Sequence, residues 1–137
     1  MRRTLLLCSA LLFALSASAQ TSGEDFVRSF YEKYLSEDSR IQDSALQMLT
    51  PRLAAKACRL RAEMNVDPFT LTKEITPEMR KSLCVGASEN GWFVASFTNC
   101  LEDTLLMETI CIPVYPEQIE GRWQLAYIAT TWEEDLG

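Results

Sequence analysis

An asparagine–glycine pair between two short runs of strand-forming residues constrains this fold more than any other part of the chain. Residues 83–87 and 92–98 flank Ser88-Glu89-Asn90-Gly91. A tight type I′ turn needs positive φ at both central positions, which Asn and Gly adopt at least cost, so the pair predicts a β-hairpin. With Asn90 and Gly91 central, Glu89 faces Trp92, Ala87 faces Val94 and Cys84 faces Phe97. A loop through Leu101-Glu102-Asp103 leads to a third strand over residues 106–115. Residues 116–121 then turn the chain into a fourth strand over 122–130. Pro113 lacks a ladder donor and belongs where its strand outruns a neighbour.

Alternation along these strands sorts the side chains onto two faces. One face takes Cys84, Gly86, Phe93, Ala95, Phe97, Ile110, Ile112, Val114, Trp123, Leu125 and Tyr127. It is nearly continuous apolar surface and needs a cover. The other face takes Val85, Ala87, Trp92, Val94, Ser96, Thr98, Thr109, Cys111, Tyr115, Arg122, Gln124, Ala126 and Ile128. Its aromatic and aliphatic members are many for a wetted surface, which raises a homodimer through this outer sheet face against plain exposure.

The first half supplies the cover as helices. Thr21-Ser22-Gly23-Glu24 fits a capping box. Phe26, Val27, Phe30, Tyr31, Tyr34 and Leu35 then recur with helical period as one aromatic-rich face. A second helix over 41–49 brings Ile41, Ala45 and Leu49 into phase. Thr50-Pro51 starts a third, capping threonine before first-turn proline, with Leu53, Ala57, Leu60 and Met64 on one face. Arg52, Lys56, Arg59 and Glu63 form a solvated ridge opposite. Asp67-Pro68-Phe69 breaks the pattern as a turn, with Asp67 bonding its own backbone and Phe69 plugging the core. Thr76-Pro77-Glu78 starts one further helical turn.

The chain has 137 residues, a single-domain length. Residues 1–19 carry Arg2 and Arg3, an apolar run from Leu5 to Leu15, and Ala17-Ser18-Ala19. That is the pattern of a secretory signal cleaved before Gln20, too short in its apolar run to span a bilayer. The expected mature domain, residues 20–137, is exported to the periplasm or the cell exterior, with nothing to hold it at a membrane. It has 11 basic against 19 acidic side chains, a formal charge of −8. Such a surface repels nucleic acid and anionic lipid.

Four cysteines remain after cleavage: Cys58, Cys84, Cys100 and Cys111. An even count in an exported chain favours disulfides. Cys58 on the third helix and Cys84 on the covered face suggest one pair, leaving Cys100–Cys111. Two other pairings stay open, as does a bland role for Cys58 as a small buried hydrophobe. No C-x-x-C and no histidine occur, so no metal site or cofactor is expected, and histidine-based triads and H-E-x-x-H chemistry are excluded.

The order of three helices followed by a curved antiparallel sheet, ending in Gly121-Arg122-Trp123-Gln124-Leu125-Ala126-Tyr127-Ile128, resembles the nuclear transport factor 2-like superfamily. More narrowly the chain resembles domain of unknown function 3828, a group of small exported bacterial proteins. The matching pieces are Phe26-x-x-x-Phe30-Tyr31-x-x-Tyr34-Leu35, Leu49-Thr50-x-x-Leu53 and Asp67-Pro68-Phe69. The chain departs from that pattern in Thr70-Leu71-Thr72-Lys73-Glu74, where a Gln-Asp pair is usual. The resemblance implies an α+β, cone-like (cystatin-like) fold, with N-terminal helices on one face of a curved four-stranded antiparallel sheet and room for a pocket between them. It leaves function open, since such folds host isomerases, hydrolases and proteins that only bind.

Pocket candidates are Tyr34, Phe97, Glu108 and Tyr127. By parity Glu108 falls on the apolar face, in line with Ile110 and Ile112 and beside Tyr127. A desolvated carboxylate there could serve as a base. The competing reading puts Glu108 at the sheet's end, in water. The leading expectation is a non-catalytic domain that binds a small apolar molecule or a protein partner through the cone pocket or the outer sheet face. The alternative is a small pocket isomerase or hydrolase using Glu108 with Tyr127.

Overall fold

A computed structural model describes residues 23–100 and 106–129. The expected signal segment, Thr21 and Ser22 of the capping box and the 101–103 loop lie outside the described residues. Among the described residues four helices precede four strands: α1 (residues 23–34), α2 (Ser39–Leu46), α3 (Pro51–Met64) and α4 (Pro77–Lys81), then β1 (Cys84–Ala87), β2 (Phe93–Cys100), β3 (Met107–Ile119) and β4 (Arg122–Ile128). The strands form one antiparallel sheet in the order β1-β2-β3-β4. It is curved and open, with the helices on one face, as the α+β reading requires.

The helix signals hold in detail. Val27, Phe30, Tyr31, Tyr34 and Leu35 are buried along one side of α1 and the residue that follows it. Thr50 caps α3 through its hydroxyl, which accepts from Leu53 N at 3.2 Å, and Pro51 takes the first helical position. Leu53, Ala57, Leu60 and Met64 are the buried face of α3. Helix α2 stops short of the expected 41–49. Leu49 instead forms a parallel bridge to Leu125 of β4, where Thr50 N donates to Leu125 O and Leu125 N donates to Met48 O. Backbone pairing with an edge strand displaced the last helical turn, and Ile41 is left exposed.

The first hairpin keeps its turn and loses its register. Asn90 and Gly91 both have positive φ, 56° and 83°, and Trp92 N donates to Glu89 O. Ser88 N, however, donates to Trp92 O at 2.8 Å, so Ser88 and Glu89 together oppose Trp92. This β-bulge shifts every later pair by one: Ala87 faces Phe93, Val85 faces Ala95 and Cys84 faces Ser96. A one-residue slip turns a whole strand over. Val85 is therefore buried, while Cys84 and Gly86 point to the outer face.

A second bulge corrects the last strand. Tyr115 pairs with Tyr127 and Pro116 with Leu125, leaving Ala126 as the extra residue. Trp123 and Leu125 face the helices as expected, but beyond Ala126 the faces exchange. Ile128 is buried and Tyr127 is 39% exposed on the outer side. Strand β3 also runs four residues past Tyr115 and turns only at Glu120-Gly121, both with positive φ. Pro113 points its missing donor at the end of β4, where its carbonyl accepts from Ala129 N. By the same alternation Pro116 points its own past the start of β2. Both prolines sit where β3 outruns a neighbour.

Candidate functional site

Three places could act on another molecule: the space between helices and sheet, the polar end of α3, and the outer sheet face, which no described helix covers.

The space between helices and sheet is filled. Phe30 stacks on Tyr34 at 5.5 Å between ring centroids and meets Phe69 edge-on at 5.3 Å, and Tyr31 lies 6.1 Å from Phe97. Phe30, Tyr31 and Phe69 are wholly buried, and Phe97 nearly so. Phe69 plugs the core as its turn position suggests, its carbonyl accepting from the Tyr31 hydroxyl at 3.0 Å. Phe97 is thus a packing residue.

The expected Glu108–Tyr127 pair is not assembled. Glu108 shares the parity of Ile110 but pairs with Asn99 near the start of β3, where it is exposed. Tyr127 pairs with Tyr115, seven residues further along β3 and on the opposite face. At about 3.3 Å per residue that is more than 20 Å. The Ala126 bulge removed the shared face, and the sheet's end removed the desolvation.

The cysteines do not meet either. All four are exposed free thiols. Cys58 lies on the solvent side of α3, and Cys84 was turned outward by the Ser88 bulge, so the sheet stands between them. Cys84, Ser96 and Cys111 form one row across three strands of the outer face. Cys100 is four residues along β2 from that row, roughly 13 Å, beyond the ~7 Å Cα limit for a disulfide with Cys111.

Tyr34 belongs to a polar constellation that sequence patterning missed. Its hydroxyl donates to Asp67 Oδ2 in a short hydrogen bond and accepts from Arg61 Nη2 at 2.7 Å. Arg61 Nη2 lies 3.7 Å from Asp67 Oδ2. Asp67 also closes its own turn, Oδ1 accepting from Phe69 N at 2.8 Å, which is the turn role its place before Pro68 suggests. Burial first, then the Asp67 carboxylate, pushes the Tyr34 phenol well above its ordinary range, while Arg61 pulls it partway back. Tyr31 is likewise raised, by burial and then Asp67. The triad therefore holds Tyr34 as a neutral donor, in a clamp joining α1, α3 and the turn. The only sequence signal was Arg61 leaving the apolar stripe of α3 beside Leu60. A groove of about 530 Å³ opens beside it, lined by Arg61, Asn65, Val66, Asp67 and Lys73.

The outer face carries an aromatic row. Trp92 lies 5.5 Å from Tyr115 and Tyr115 6.0 Å from Tyr127, ring to ring. The Arg52 guanidinium lies 5.8 Å from the centre of the Tyr127 ring. The Ser88 bulge and Gly91 shape this end, since a Cβ at Gly91 would stand 3.0 Å from the Tyr115 ring. Beyond the aromatic row the face is small and uncharged: Gly86 with Val94, then Cys84, Ser96 and Cys111, then Thr98 with Thr109.

No family model matches the chain, and no curated protein does. A solved structure does: a protein of unknown function from Bacteroides thetaiotaomicron VPI-5482, with a TM-score of 0.73 and 21% identity over 89% of this chain and 99% of that one. The likeness is one of fold. It extends over nearly the whole of both chains, so the helices and the sheet recur together as one unit in the two proteins.

Proposed function

We propose that the chain is an exported, non-catalytic binding domain of nuclear transport factor 2-like type whose uncovered sheet face docks a protein partner, in the first instance a second copy of itself. The observation that carries this reading is the row Trp92–Tyr115–Tyr127 with Arg52, flanked on one side by rows of small uncharged residues from Gly86–Val94 to Thr98–Thr109. Trp, Tyr and Arg are the residues in which binding energy concentrates, and interface centres are poor in charge. The face complements itself. A two-fold axis near the Cys84–Ser96–Cys111 row would seat the aromatic row of one copy on the small-residue rows of the other. From Met107 to Tyr115 it is about 27 Å long and, over three strands, roughly 10–15 Å wide, which is below the area of a standard specific interface and so fits a weak, reversible association. Such docking would also cover three of the four exposed thiols.

A ligand in the cone loses support because Phe30, Tyr31, Phe69 and Phe97 occupy that space. The pocket-enzyme alternative loses it because Glu108 and Tyr127 stand on different faces. Sedimentation equilibrium of the purified protein tests the proposal. A monomer–dimer equilibrium is expected, shifted at least about tenfold toward monomer by Trp92→Ala with Tyr127→Ala. A one-chain mass at the highest attainable concentration would remove self-docking.

A further inference from the structure

We infer that the groove at the end of α3 is a binding site for a small oxyanion, a carboxylate or phosphate group, with Arg61 and Lys73 as its cations. The inference is independent of the outer sheet face, to which α3 contributes only Arg52 at its opposite end.

The sequence places the two cations on opposite sides of one turn. Arg61 is in the last turn of α3, and Asn65 ends that helix in the left-handed region at φ 57°. The chain then doubles back, with Asp67 N donating to Thr72 O at 2.9 Å, which brings Lys73 up beside Asp67. Arg61, Asn65, Val66, Asp67 and Lys73 thus line one depression of about 530 Å³.

The Arg61 head group is held before any ligand arrives. Nη2 donates to the hydroxyl of Tyr34, whose side chain is itself buried, and sits beside Asp67. Both Asp67 oxygens are already engaged, one by Phe69 N and the other by Tyr34. The remaining guanidinium N–H groups make no hydrogen bond among the described residues. Lys73 makes no ion pair among them either. A fixed guanidinium edge with donors to spare matches the two oxygens of a carboxylate or phosphate. Little rotamer freedom is lost on binding, because the protein has already fixed it. The α3 carbonyl end opposes an anion with about half a negative charge. Two cations in the groove lining stand against its single carboxylate, Asp67, in a protein of formal charge −6, with Asp43 on the far side of Arg61.

The test is a titration of the isotopically labelled protein with sodium succinate and, separately, with inorganic phosphate at constant ionic strength, followed by amide chemical shifts. Saturable shifts at Asn65, Val66 and Lys73 are expected in at least one arm. Lys73→Ala, at an exposed position, and Arg61→Lys, which keeps the charge and loses the planar edge, should each weaken binding about tenfold, the loss of one charge-assisted contact. Saturation by succinate alone assigns an organic acid, by phosphate alone a phosphate ester, and by both the shared oxyanion chemistry. Absence of saturable shifts up to about 50 mM in both arms, or an affinity unchanged from the original protein in both variants, overturns the site.

Discussion

The two faces of the sheet are built from the same four strands, and they differ in what each asks of a side chain. On the covered face Phe97, Ile112, Val114 and Leu125 are sealed beneath an aromatic helix, and volume decides what is tolerated. On the outer face Ser96 and Thr98 are half-buried and Thr109 and Cys111 exposed among the described residues, and large rings gather in the aromatic row. One face therefore holds the fold together, while the other contributes little to the core among the described residues.

The sharpest way to break this contrast is to truncate neighbours on opposite faces. Phe97→Ala is expected to cost about 3–5 kcal/mol in urea unfolding, whereas Ser96→Ala one residue away should stay within about 0.5 kcal/mol. Equal costs would mean the outer face is also covered within the single chain. Strand β1 gives the next largest effect. Val85→Ala should cost roughly 1–3 kcal/mol and Cys84→Ala little, measured at low concentration; the reverse ranking would show that the hairpin lacks its bulge.

The smallest effect concerns the seam beside the covered face. Tyr34→Phe removes a buried hydroxyl from between Asp67 and Arg61 and should cost about 1–2 kcal/mol at neutral pH. Its companion is a pH effect. The folded state raises the phenol pKa of Tyr31 and Tyr34, by burial first and then by Asp67. Below pH ~10 both phenols are neutral folded or unfolded, and their contribution is fully present. Above it the unfolded chain releases protons that the folded chain retains, so stability falls as pH rises. Denaturation followed from pH 8 to 12 should show a flat region and then a decline, shallower in Tyr34→Phe. A decline of equal slope in the variant would show that Tyr34 is not held neutral.

Much of the covered face was legible because local chemistry and burial agreed. Thr50-Pro51 marked the start of α3, Asn90-Gly91 marked the turn, and the helical period of Phe30, Tyr31 and Tyr34 named the side that packs. The candidate site was much less legible. Tyr34 was singled out for a pocket and belongs to a clamp. Asp67 read correctly as a turn residue, but its bonds to Tyr34 and Arg61 join positions 33 and 6 residues away, and such contacts leave no periodic trace.

The sequence by itself determined the elements, their order and the apolar surface that had to be buried, since these follow from backbone preference and hydrophobic period. Only the tertiary structure decided which way Cys84, Val85, Tyr127 and Ile128 point. Each bulge, at Ser88 and at Ala126, adds one residue, and alternation then carries that single shift along the rest of the strand.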